Sequence, residues 1–233
     1  MEKDFRSIRR EMQKKSNKVH SGILLSYEQA MEEVKDYLSE KMTEKMTEDA
    51  KYGVNQESEI KIKDKEYLRQ KKSEFKGYIE ECVAFRNLRV KDYEGELMEK
   101  FIEEMVGEFA GYSILEDAFA DPEVSDVFVI DWETIYVEKK GKNQKYHKKF
   151  RSAKHFENVL KRFVGEAGRE INLGDAKIVD FELYQDRGCA TSPGVSPRGY
   201  SLTLRKHAED QITRDQLVGW NVMDEKMSDF LGM

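Results

Sequence analysis

The residues able to do chemistry are plentiful in this chain, but their spacing does not assemble a self-contained active site. Four histidines, His20, His147, His155 and His207, could ligate a metal or move protons. They lack the i,i+4 or His-x-His spacing that puts two imidazoles on one ion. His20 and His147 stand in charged stretches and read as solvated. Cys82 and Cys189 are far apart, with no Cys or His partner at metal spacing, and read as reduced thiols of a cytosolic protein. A phosphate cradle of the form G-x-x-x-x-G-K-[ST] is missing. The one Gly-Lys pair, Gly141-Lys142, is followed by Asn143, and Tyr136 stands where the first glycine belongs. There is no G-x-S-x-G elbow for a serine nucleophile. Carboxylates abound, but in a chain with 37% charged residues abundance carries no signal. No catalytic residue and no metal ligand is assigned.

The elements that would position any site fall into two halves. All three prolines, Pro122, Pro193 and Pro197, lie in the second half, and the first is rich in Glu, Lys and Met, which lose little entropy in a helix. Residues 1–22 are basic, poor in apolar side chains, and read as a mobile arm. Residues 23–112 read as a helical domain. Ser26 is the expected N-cap of a first helix, whose stripe runs through Tyr27, Ala30, Met31, Val34, Tyr37, Leu38 and Met42. Residues 53–58 read as a break. A second helix is expected from about Asp64 into Val90. A third is expected from about Tyr93 to Tyr112, along Met98, Ile102, Met105, Phe109 and Tyr112.

After Ala120 the apolar period changes from 3.6 to 2. Residues 127–130 and 135–137 predict a hairpin-like pair of strands. Lys145 to Phe150 predicts a third run, after a turn at Gly141-Lys142-Asn143. A helix fits Ser152 to Ala167. Val179, Phe181 and Leu183 alternate with Asp180 and Glu182, and Tyr200, Leu202 and Leu204 alternate with Ser201, Thr203 and Arg205. One-sided alternation predicts an antiparallel sheet with one covered face. Residues 113–210 are thus an α/β domain, and the whole chain is α+β. Residues 211–233 read as linker helices, opened by the capping box Thr213-x-x-Gln216. No apolar run approaches the roughly 18 residues of a membrane helix, and the N-terminus lacks the apolar core of a signal peptide.

Two blocks of the second half carry a family resemblance. Leu115-Glu116, Ala120-Asp121-Pro122-Glu123-Val124, Ser125-Asp126-Val127 and Ile135-Tyr136-Val137-Glu138 follow the order L-E-x-L-L-A-D-P-E-V-T-E-I-x-V-x-G-x-x-x-V-Y-V-E. Asp175, Val179-Asp180, Leu183, Asp186-Arg187, Ala190, Pro193 and Gly199 to Lys206 follow a second pattern, ending G-x-x-L-T-I-R-K. Both resemble the second N-terminal domain of the secretion "traffic" ATPases of type II and type IV secretion, pilus and conjugation systems. Residues 212–218 add a match to L-T-L-E-D-L-V. The resemblance covers about half the chain, Gly111 to Leu231.

That resemblance implies a PAS-like sheet domain that docks on a RecA-like motor expected to follow Met233. It implies ATP and Mg in the full-length protein, with none held by this chain alone, and no ATP hydrolysis by these residues. It implies homo-hexamers, with contacts to the chain's own motor, to neighbouring subunits and to inner-membrane components of a secretion or conjugation machine. It implies a cytoplasmic protein associated peripherally with the membrane. In the family, basic residues on these strands face the nucleotide, which makes Arg205 and Arg187 candidates for phosphate contacts, with Lys206 behind them. A guanidinium suits that task because its fork of donors matches phosphate geometry. Two departures stand out. Gln185-Asp186-Arg187-Gly188 stands in place of the family's D-G-x-R turn and is expected to be a turn here, with glycine after the arginine, and Glu182 occupies a position where the family carries arginine. Two other readings stay open. One is a free-standing adaptor working through its helical half. The other is a nucleic-acid module using the basic arm, for which the lack of interleaved aromatics and the net charge of -6 speak against a nucleic-acid partner.

Overall fold

A computed structural model describes residues 24–51, 63–175, 177–207 and 213–231. The basic arm and the break at 53–58 lie outside them. The expected α+β organisation is present: among the described residues seven α-helices accompany one six-stranded antiparallel sheet. No helix of the described residues is long and apolar enough to cross a membrane.

The first three helices, α1 (Tyr27–Lys51), α2 (Lys65–Phe85) and α3 (Leu97–Ala110), pack around Ala30, Val34, Leu38, Ile79, Cys82, Phe101 and Met105. Ser26 starts α1 as expected and does so reciprocally. Its Oγ accepts from the Gln29 N–H at 3.3 Å, and Gln29 Oε1 accepts from the Ser26 N–H at 3.0 Å. Asp64 caps α2, accepting from the Tyr67 N–H. This helix stops at Phe85, short of the expected Val90. Asn87 adopts a left-handed φ of 47°, and the Leu88 N–H closes back on the Val83 carbonyl at 3.0 Å. That closure is a Schellman stop. Val90 then forms a parallel bridge with Leu25.

Past a 3-10 turn at Ser113–Leu115 and the short helix α4 (Glu116–Ala120), the sheet begins. Its strands are β1 (Val124–Val129), β2 (Ile135–Lys139), β3 (Lys142–Lys145), β4 (Ile178–Leu183), β5 (Asp186–Thr191) and β6 (Ser201–Arg205), in spatial order β3-β2-β1-β6-β5-β4. Two three-stranded meanders therefore join at their centre, where β1 pairs with β6. Helix α5 (Ala153–Glu166) connects them and covers one face. Phe156, Val159, Leu160, Phe163 and Val164 meet Val127, Val129, Ile135, Val137, Leu183, Leu202 and Leu204. Helices α6 (Arg214–Gly219) and α7 (Glu225–Leu231) end the described chain, with the expected capping box at Thr213 and Gln216.

Two strand assignments differ from the sequence expectation. The stretch 141–143 is not a three-residue turn ahead of a strand at 145–150. Lys140 and Gly141 alone make the turn, at φ 53° and 73°, and β3 already begins at Lys142. Likewise, 185–188 is not a turn. Tyr184 and Gln185 form it, at φ 53° and 72°, and Asp186 opens β5 opposite Leu183. A tyrosine in left-handed backbone is costly, and it persists where surrounding contacts over-determine it. Here the Tyr184 hydroxyl donates to Glu166, and its ring meets Tyr67 and Tyr112 with centroids 6.4 Å and 5.8 Å away.

The same contacts clamp the helices to the sheet. Asp186 is fully buried, and its Oδ2 receives both Lys65 Nζ at 2.6 Å and the Tyr112 hydroxyl at 2.5 Å. Its Oδ1 accepts from the His207 N–H at 2.8 Å. Alongside, Glu166 binds Lys71 Nζ at 2.8 Å and Arg162 at 3.1 Å. Burial alone would push the Glu166 carboxyl up, but Arg162, Lys71 and Tyr184 reverse this and hold it below the ordinary carboxylate range. Glu108 behaves likewise: burial is outweighed by His155, whose Nε2 lies 2.6 Å away, by Ser113 and by Arg151.

A buried carboxylate with three partners should not be removable. Asp186→Ala lowers the unfolding free energy by about 3–5 kcal/mol in urea titration, because it strands a lysine and a buried hydroxyl; a loss below about 1 kcal/mol would contradict the clamp. Because Glu108 and Glu166 are held below their ordinary value of 4.5, they add stability above it. That contribution disappears as the pH falls through their depressed range. Urea midpoints measured from pH 7 to pH 3 therefore drop steeply at the acid end, and the drop is shallower in Glu108→Gln and Glu166→Gln. Identical acid slopes in parent and variants would refute the assignment.

Candidate functional site

The covered face of the sheet is apolar, whereas the open face carries the charged side chains. The register places five charged residues in one row across five strands. Glu138 lies opposite Asp126, Asp126 opposite Arg205, Arg205 opposite Arg187, and Arg187 opposite Glu182. Read from β2 to β4, the signs are minus, minus, plus, plus, minus. A second row one step along holds Tyr136, Phe128, Thr203, Cys189 and Asp180.

Arg187 and Arg205, each a candidate from the sequence, stand as direct cross-strand neighbours. Like charges so placed repel, and the acidic residues on either side relieve this. Arg205 Nε donates to Asp126 Oδ1 at 2.7 Å. Arg187 is exposed and makes no ion pair among the described residues. Both line a depression of about 650 Å³ with Asp126, Asp180, Glu182 and Thr203. Lys206 is elsewhere. It follows the last residue of β6, and its Nζ donates to the Asp121 carbonyl at 2.6 Å.

A third guanidinium, Arg169, lines the same depression and escaped sequence reasoning. It arrives there through the end of α5. Gly168 takes φ +70°, the Gly168 N–H bonds the Gly165 carbonyl, and the Arg169 N–H bonds the Val164 carbonyl at 2.9 Å. That Schellman stop turns the chain back over the sheet. The available signal was the glycine just past the amphipathic run.

The displaced glycine of 185–188 also has a structural reason. Gly188 faces the covered side opposite Phe181, and a Cβ there would run into the Phe181 ring. Glycine after the arginine thus seats an aromatic ring beneath β5 and leaves Arg187 facing out. Cys189, beside Asp180, has its thiol pushed up to about 11, by burial first and then by Asp180. Both effects favour the neutral thiol over the reactive thiolate. Cys82 is buried among the helices, and its thiol is raised to about 12, chiefly by burial. His147 is exposed, and His155 is half-buried against Glu108. Among the described residues no group of three or more His, Cys, Asp or Glu side chains is placed to hold a metal ion. Three guanidinium groups around one depression have the charge and donor geometry that suit an anion, and among the described residues lining it there is no nucleophile–base pair.

No protein-family model matches this chain, and none of the curated proteins does. Among solved structures, the VirB11 ATPase from the Brucella suis type IV secretion system, in complex with sulphate, is similar at 15% identity and a TM-score of 0.41. The match covers 48% of this chain and 33% of that one, so the chain spans about a third of that protein's length. A likeness this distant carries no weight of its own beside the geometry.

Gly188→Ala should cost about 1–3 kcal/mol, because the added methyl must displace a packed ring. Combining it with Phe181→Leu should recover part of the loss in denaturant titrations. An unperturbed single variant would mean that β5 does not have this register.

Proposed function

We propose that this chain is the docking and nucleotide-coupling end of a secretion or conjugation ATPase. In this reading the open sheet face receives the phosphates of a nucleotide held by a separate motor domain. The observation that supports it is the convergence of Arg169, Arg187 and Arg205 on one depression, in a stretch of chain whose own residues contain no phosphate-loop motif. The resemblance of residues 115–138 and 175–206 to the traffic ATPases gives the anion its identity. The physics is that of a guanidinium supplied in trans: it stabilises developing charge on the transferring phosphoryl group and ties turnover to domain position. Lys206 is left out, since its ammonium serves the Asp121 carbonyl. The partners that follow are the motor, neighbouring copies in a hexamer and membrane components of the transport machine.

One observation favours an adaptor as the second reading. Trp220, Val222, Met227, Phe230 and Leu231 on and between α6 and α7 are between 57% and 77% exposed. Apolar side chains gathered on one surface mark an interaction site. A downstream reading frame that encodes a phosphate loop favours the motor reading; one that does not favours the adaptor.

Arg187 offers the cleaner test, because removing it strands no buried partner. In the ATPase that carries this chain, Arg187→Ala lowers turnover by on the order of a hundredfold with the thermal midpoint of the domain unchanged. Parental turnover and nucleotide affinity in that variant would refute the phosphate role.

A further inference from the structure

We infer that Asp126 is the positioning residue for Arg205, presenting the terminal nitrogens of its guanidinium to the phosphate. The inference rests on the phosphate-facing reading above and concerns how that site is built. The Asp126 side chain is 6% exposed, whereas that of Arg205 is 70% exposed. A buried carboxylate therefore grips the guanidinium from behind. Only Nε is engaged, at 2.7 Å, and the two terminal nitrogens make no hydrogen bond among the described residues. Those two nitrogens form the edge of the fork that a phosphate takes most readily.

Asp126 faces this way because of a local irregularity. The β1–β2 register shifts between Val124 and Asp126, so that Ser125 is an extra residue on β1. In an unbroken strand Val124 and Asp126 would share a face. The bulge instead lets Val124 stay in the core while Asp126 turns to the open side, as bulges beside functional sites commonly do. Asp126 also counters the repulsion from Arg187, directly across from Arg205. Without it, Arg205 would swing away from its like-charged neighbour into solvent. With it, two guanidinium groups are held side by side, which suits an anion of more than one charge, such as a nucleotide polyphosphate.

The test pairs a structural readout with a kinetic one. In side-chain NMR of the 233-residue chain, the Arg205 Nε–H resonance should be shifted and slow to exchange, and Asp126→Ala should abolish both properties while the remaining spectrum is retained. Asp126→Asn, which keeps an acceptor but no charge, gives an intermediate result and covers the case in which the alanine variant fails to fold. In the assembled ATPase, Asp126→Ala should lower kcat by on the order of a hundredfold, as Arg205→Ala does. The double variant should be no worse than either single one. A damaging Arg205→Ala beside a harmless Asp126→Ala would overturn the positioning role and leave the phosphate reading standing. A harmless Arg205→Ala would overturn both.

Discussion

Asp186 is the point on which the rest of the structure depends. A carboxylate buried without partners would cost many kcal/mol, so its three contacts must form together. Lys65 comes from α2, Tyr112 from the joint between helices and sheet, and the His207 N–H from the chain leaving β6. Satisfying Asp186 thus locks the helical half, the sheet and the exit segment in one arrangement. It also sets the face of every residue after it on β5, since a slip of one position would exchange the two sides of the strand. With Asp186 inward, Arg187 must face out and Gly188 must face Phe181.

The open face then reads as a prepared electrostatic site. Two adjacent arginines in an isolated strand pair would be a defect, yet within the row they are bracketed by Asp126 and Glu182. Only Arg205 is bonded to a carboxylate, so positive charge remains directed outward at Arg187 and Arg169. An anion that enters gains from all three. Acidic flanks keep the face from attracting every polyanion, in keeping with the overall negative charge of the chain.

Much of this was legible before the fold was known, and the parts that were not share a cause. The long helices are legible because burial imposes a stripe, and Ser26 and Thr213 stand where unpaired N–H groups need an acceptor. Strands β4 and β6 announced themselves through strict alternation of Val179, Phe181 and Leu183, and of Leu202 and Leu204. Strands β3 and β5 did not. Lys142 to Lys145 are all exposed, so no apolar period exists to be seen. In β5 the inward positions are Asp186, Gly188 and Ala190, which look like a turn until Lys65 and the Phe181 ring supply what fills the space. Arg187 and Arg205 could be named from a resemblance, but their adjacency is a matter of register. Arg169 belongs to the site only because a helix end folds it there.

The central claim is that three arginines lining one depression, two on the open sheet face and one at the end of α5, form a polyphosphate site. The most direct measurement is a titration of the 233-residue chain with inorganic pyrophosphate, followed through the arginine Nε–H resonances. The account predicts saturable shifts at Arg169, Arg187 and Arg205 that weaken as salt is raised, with Arg86 and Arg162, both occupied in ion pairs, unmoved. Shifts confined to the basic residues of 1–22, or spread evenly over all arginines, would contradict it.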